Sequence, residues 1–240
     1  MRLRAFTQNS KTILSVDFSR TTCPQVCEYC YVGNMERIYP SYKEKIKKNA
    51  NWATGNYENF SSQLNDEYTS TRKSKAKKLR RVSKLPVRIY GSGDFIPEHL
   101  MFMERLDFKF YVISKSLTSN FMHKYIDELL KMDNLTNLVL SFDAQNLDNY
   151  NGICKLYGDD RISFAFTGMA DEFKEVRLDK QFDIFFNISN KKIEKEKSKL
   201  YKEQCPCDSG AMAHNESCSF CNKCWKSSLT KDKDWNKEHI

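Results

Sequence analysis

The sequence predicts an α/β protein: a partial, TIM-like (β/α)6 barrel with a long helical insertion after its first strand and a small cysteine-rich C-terminal extension. Three observations carry this. Six short β-rich runs recur, at residues 13–19, 87–90, 108–114, 137–142, 162–167 and 182–188. Several are apolar almost throughout (FYVI, LVLSF, FAF, IFFNI), the pattern of parallel strands buried on both faces. Helix-like stretches separate them, so right-handed crossovers are expected, and six strands fill a partial barrel rather than a closed eight-stranded one.

Of the helices, residues 97–105 open on Pro97, and residues 119–132 carry Phe121, Tyr125, Leu129 and Met132 on one stripe, with Ser119 as the expected N-cap. The insertion covers about residues 36–85. It holds a basic stretch at 43–48 and a predicted helix marked by Phe60, Leu64 and Tyr68. It ends in residues 71–84 (TRKSKAKKLRRVSK), which carry eight Lys and Arg and no acid. The chain has 39 basic residues, so without this arm 31 face 31 acidic ones, and any attraction to a polyanion is local. As a phosphate-backbone contact the arm would bring nucleic acid, with Trp52, Tyr57, Phe60 and Tyr68 as upstream aromatics; as a solvated helix face it needs no partner. Two units are expected: residues 1–190 as the barrel, and 191–240 as a charged linker helix with a metal-binding segment.

No run of about 18 apolar residues exists, and Met1-Arg2-Leu3-Arg4 lacks signal-peptide character, so a cytoplasmic protein with no membrane association is expected. In a reducing compartment nine clustered cysteines point to metal or redox chemistry rather than disulfides. Cys154 alone stands apart, as a small buried hydrophobe.

Cys23, Cys27 and Cys30 have the spacing C-x3-C-x2-C just after the first predicted strand. Three thiolates can hold three irons of a cubane and leave the fourth iron without a protein ligand, whereas electron-transfer [4Fe-4S] sites use four cysteines. A zinc site would need a fourth ligand, and none lies nearby in sequence. One strand later, Gly91-Ser92-Gly93-Asp94 joins a strand to a helix, with glycines that permit close backbone approach.

The triplet, with the aromatic Tyr29 before its third cysteine, resembles the signature of the radical S-adenosylmethionine (SAM) superfamily over roughly residues 10–190. That resemblance implies a [4Fe-4S] cluster on Cys23, Cys27 and Cys30 whose vacant iron takes SAM. Reductive cleavage of SAM then yields methionine and a 5′-deoxyadenosyl radical, which abstracts hydrogen from a substrate. It also implies a reductase, flavodoxin or ferredoxin as electron donor. Gly91, Ser92, Gly93 and Asp94 look like the family's Gly-Gly-Glu-like SAM-binding motif, with Asp for Glu and one added residue. By the same analogy Ser141 or Asp143 would meet the ribose and Thr167 the adenosyl side. Ser114, Lys115, Ser116 and Asn187 also fall near strand ends, where ligands of such folds bind. The sequence names no catalytic residue, and its substrate stays open among nucleotides, peptides and small metabolites.

The second constellation is Cys205-Pro-Cys207 followed by Cys218, Cys221 and Cys224-Trp225. It resembles auxiliary-cluster binding in larger radical SAM enzymes, and the whole pattern resembles a small phage-associated radical SAM-like family. A second [4Fe-4S] cluster on Cys205, Cys218, Cys221 and Cys224 is the expectation, with zinc as the alternative; Cys207 is a spare ligand and His214 a candidate only for zinc. The competing class is a non-catalytic Fe–S or zinc protein that binds nucleic acid through the arm.

Overall fold

The structure is a computed structural model that describes residues 5–8, 14–23, 27, 30, 32–75, 84–156, 159–176 and 179–187. Its centre is a seven-stranded sheet in sequential order, formed by β1 (Phe6–Gln8), β2 (Leu14–Val16), β3 (Val87–Ile89), β4 (Phe110–Ser114), β5 (Leu135–Phe142), β6 (Ile162–Gly168) and β7 (Ile184–Asn187). Strands β2 to β7 are all parallel. All six predicted strands are present, with ends shifted by up to three residues. The short antiparallel β1 was not anticipated. Three residues give too little periodicity to read, and β1 is held by tertiary contacts. Glu67 accepts from the Ala5 and Phe6 amides, and the Asn49 side chain donates to the Ala5 carbonyl. The described strands form an open sheet with β1 and β7 as its edges.

The two faces differ. Leu14, Val16, Val87, Ile89, Phe110, Val112, Leu138, Leu140, Phe142, Phe164, Phe166 and Phe185 belong to the main core. Alternate residues point the other way. They give a small second cluster of Val139, Ala165 and Ile184, flanked by a buried polar row of Ser15, Asn137 and Ser163. Asn137 and Ser163 satisfy each other across β5 and β6 at 3.1 Å. Large apolar side chains thus cover one face, while the other mixes polar residues with Ile113, Val139, Ala165, Ile184 and Phe186.

The insertion is helical: α1 (Val32–Ile38), α2 (Pro40–Gly55) and α3 (Tyr57–Arg72) cross from β2 to β3. Helix α3 buries Phe60 and Leu64 and half-buries Tyr68, as the spacing predicts. Residues 97–105 begin as a 3-10 turn, Pro97–His99, before α4 (Leu100–Met103).

One predicted helix is shorter than expected. Helix α5 covers Lys124–Leu130, and Ser119 instead follows a 3-10 turn, Ser116–Thr118. Phe121 is 88% exposed, so it lies off the buried stripe; Ile126 and Leu129 anchor the helix instead. The apolar periodicity was sound only from Tyr125 onward, because residues 116–119 are drawn toward the polar strand ends described below. Among the described residues two further short helices follow, α6 (Tyr150–Ile153) and α7 (Ala170–Val176). Cys154 is half-buried against the core, with its sulfur 3.4 Å from the Asn151 carbonyl, rather than fully buried. Among the described residues no helix is long and apolar enough to cross a membrane.

Candidate functional site

Because six strands run parallel, the segments after β2, β3, β4 and β5 all emerge at one edge of the sheet. The first is Asp17–Ser19, a 3-10 turn at Arg20–Thr22, and then Cys23. Ser19 accepts from the Thr21 amide, and the Thr22 hydroxyl donates back to the Ser19 carbonyl at 3.0 Å. This turn fixes where the cysteine loop leaves the sheet. Cys23, Cys27 and Cys30 are half-buried, and the Cys30 amide donates to the Cys27 carbonyl at 3.1 Å.

The second segment, after β3, locks onto the first. Phe18 N–H donates to the Ser92 carbonyl at 3.0 Å, and the Ser92 hydroxyl donates to the Phe18 carbonyl at 2.9 Å. Tyr42 of α2 donates to the Ser92 hydroxyl, and the Asp94 amide donates to the Thr22 hydroxyl. Glycine is required at both glycine positions of this turn. A Cβ on Gly91 would stand 1.9 Å from an Asp17 carboxylate oxygen, and one on Gly93 2.7 Å from the Phe18 Cβ. Gly93 also has φ of +73°, and Tyr90 just before the turn has φ of +66°. Tyr90 tolerates that backbone because it is buried in an aromatic box with Phe18, Phe95 and His99.

The Asp94 carboxylate turns inward. It accepts from Ser114 Oγ at 2.6 Å and from the amides of Phe95, Lys115 and Ser116 at 2.7, 3.1 and 2.9 Å. Burial pushes its pKa up, and the bonds from Ser114, Phe95 and Ser116 pull against that. Asp94 therefore ties the turn after β3 to the turn after β4.

Lys115, delivered by that turn, is 8% exposed. Its ammonium forms an ion pair with Asp143 after β5 and donates to Gln145 Oε1 at 3.1 Å. It also reaches the sulfur of Cys27 at 3.5 Å. Asp143 Oδ1 accepts from the Gln145 amide, and its own N–H donates to Asn146. Asn146 then bonds Thr118 Oγ1 and the Ser141 carbonyl. Ser141 and Thr167, on the polar face of β5 and β6, lie 3.3 Å apart between hydroxyls.

The structure thus brings Gly91, Ser92, Gly93, Asp94, Asp143, Ser141 and Thr167 to the edge where the cysteine loop emerges. Asn187 ends β7 at the same edge. Tyr29, Cys205, Cys207, His214, Cys218, Cys221 and Cys224 lie outside the described residues. Among the described residues, no three His, Cys, Asp or Glu side chains are grouped to hold one metal ion. Thiolates sharing one zinc stand about 3.8 Å apart, from Zn–S bonds of about 2.3 Å. Cysteines on a cubane each bind a different iron and stand wider apart. The links Lys115–Cys27, Asp94–Ser114 and Phe18–Ser92 are what sequence reasoning missed. Lys115 is visible there as a strand-end residue, but its partners lie 28 to 88 positions away.

These features define a class: an α/β protein with a polar, cysteine-bearing edge at the carboxyl ends of parallel strands. A family model described as Gene product 88 matches residues 4–227, and the chain belongs to that family. The match spans both cysteine constellations and the basic arm. No curated protein and no solved structure matches the chain.

Proposed function

We propose that the protein is a radical SAM enzyme built on a partial (β/α)6 barrel, with the polar sheet face as the inner wall. The observation that carries this reading is the union of two segments the sequence keeps apart. The segment that leads into Cys23 and the turn at Gly91–Asp94 leave adjacent parallel strands and are hydrogen-bonded to each other through Phe18, Ser92, Thr22 and Asp94. The chemistry of the donors supports a [4Fe-4S] group: three half-buried thiols within eight residues of sequence, with Lys115 to counter thiolate charge at Cys27. When bound, such a group with SAM supplies a 5′-deoxyadenosyl radical for hydrogen abstraction.

The chain's own residues would bind and orient. Cys23, Cys27 and Cys30 would hold the iron. Gly91 and Gly93 let the turn close against Asp17, Phe18 and Thr22, where a Cβ has no room. Ser92 and Asp94 hold that backbone rigid, and the Ser141–Thr167 hydroxyl pair offers polar contacts for a ribose or adenosyl group. A flavodoxin- or ferredoxin-class donor or a reductase would supply the electron. Cys205, Cys218, Cys221 and Cys224 would hold a second cluster or zinc.

Anaerobically reconstituted, reduced protein incubated with SAM should release 5′-deoxyadenosine, and Cys30→Ala should abolish it. A fully loaded protein that releases none overturns the enzyme reading. About eight irons per chain would mark two cubanes; about four with one zinc would assign the tail to zinc.

One observation favours a second reading, a non-catalytic metal protein that binds nucleic acid. A cleft of about 460 Å³ is lined by Arg72, Lys84 and Lys109 with one acid, Asp107, beside the stacked rings of Tyr68 and Phe108. Arg72 and Lys84 belong to the basic arm, whose residues 76–83 lie outside the described set. The cleft precedes β3 and β4, at the sheet edge opposite the cysteines. A polyanion held there suits an anchor for a nucleic-acid substrate as well as a binding module without catalysis.

A further inference from the structure

A buried lysine ammonium has three N–H donors, and leaving one unmade is unfavourable. Lys115 has three acceptors within reach: Asp143, Gln145 Oε1 and Cys27 Sγ. Asp143 and Gln145 take two of its three donors, as in a structural ion pair. The sulfur is the partner that such a pair does not require, and it belongs to a cysteine of the triplet.

We propose that Lys115 is a positioning residue for the iron–sulfur group at the cysteine triplet, holding Cys27 by hydrogen bond and setting the group's reduction potential. This rests on the radical SAM reading above. Two physical effects act together. A donor fixed on the Cys27 sulfur restricts that side chain before metal arrives, as an outer partner does for a ligand. An N–H aimed at a ligating sulfur also withdraws electron density, and a cation beside the cluster favours the reduced form; both raise the potential. In the couple concerned the cluster gains one electron and a low-potential donor of the flavodoxin or ferredoxin class loses it. No bond at Lys115 breaks, and its protons stay in place.

The placement of Lys115 is over-determined. Asp94 accepts its backbone N–H, so the residue is pinned at the main chain. Asp143, which pairs with its ammonium, is oriented by Gln145 and Asn146. Asn146 is held in turn by Thr118 and the Ser141 carbonyl. A lysine wanted only to neutralise Asp143 would not require this scaffold. An equivalent apolar pair would serve stability as well, since buried ion pairs are often no better than well-packed hydrophobic replacements.

The test uses the full chain with Cys218 and Cys221 replaced by Ser, so that the tail does not contribute a second signal. Lys115→Met/Asp143→Asn avoids a lone buried carboxylate, and Lys115→Arg keeps the charge. Circular dichroism checks folding, iron per chain checks loading, and an EPR-monitored redox titration gives the midpoint. The double variant should load iron with a midpoint shifted to more negative potential, while Lys115→Arg stays close to the parent. Equal loading with an unmoved midpoint in the double variant overturns the proposal and leaves the radical SAM reading standing. A parent chain that folds but takes up no iron overturns the reading, and the proposal with it.

Discussion

His99 shows how a single side chain records its surroundings. It is fully buried, stacked on Phe18 at 4.6 Å between centroids, and its Nδ1 meets the Tyr90 hydroxyl at 2.8 Å, while Nε2 has no hydrogen-bond partner. Burial pushes its pKa down from 6.5 to about 3. The folded chain therefore keeps His99 neutral, while the unfolded chain protonates it below about pH 6.5. The unfolded state binds more protons in that window, so stability is fully present above pH 6.5 and falls toward pH 3. The slope approaches about 1.4 kcal/mol per pH unit once the unfolded histidine is protonated. Urea unfolding at pH 7, 6 and 5 should show the decline, and His99→Gln should flatten it. An identical slope in the variant would remove His99 as the cause. From the sequence His99 is one histidine among four; only the box of Phe18, Tyr90 and Phe102 makes it neutral.

Among elements, the helical insertion works as a brace for the cysteine edge. Helix α2 supplies Tyr42 to Ser92 and Asn49 to two carbonyls at once, Ala5 and Asp17, each at 3.0 Å. Asn49 is 2% exposed and so joins β1 to the start of the cysteine loop through a dry interior. Asn49→Ala leaves both carbonyls without this donor and should destabilise the fold by roughly 2 kcal/mol or more. Denaturant unfolding measures this, and a change under about 0.5 kcal/mol would show that the bridge is dispensable. The sequence reveals the insertion by its length and by the Phe60/Leu64/Tyr68 spacing. It does not reveal Asn49 or β1, because neither has a periodicity and both depend on contacts across more than 30 residues. The limit shows again at α5, where Phe121 fits the helical stripe in sequence yet lies outside the helix, since polar contacts of residues 116–118 outweigh its apolar preference.

At the scale of the molecule, parallel strands separate two kinds of surface. Cysteines, hydroxyls and the Lys115–Asp143 pair gather where strands end; the basic cleft lies where β3 and β4 begin. Strand β4 has five residues, which span about 16 Å, so one extended polyanion could occupy the cleft while reaching toward the other edge. Neutralising Arg72, Lys84 and Lys109 to Gln should weaken RNA or single-stranded DNA binding and reduce the slope of log K against log salt by roughly 2. Binding with an unchanged salt slope, or no binding by the parent chain, would rule out this cleft as the interface. The parallel order was legible in advance, because strands covered on both faces must be apolar at consecutive positions, as in FYVI and FAF. So was the cysteine triplet, since ligand spacing is a local property of the chain. Which strand ends share an edge follows from the parallel order. Which side chains meet there does not: Asp94 faces Ser114 and the Lys115 and Ser116 amides, and Lys115 reaches Cys27 across 88 residues. The sequence by itself determined the alternation of elements and the chemistry available in the cysteine loop, because both are written in short-range pattern. Only the tertiary structure decided that Asp94 is a buried tie and Lys115 a cation on Cys27, because hydrogen bonds and burial are set by neighbours in space that no local spacing encodes.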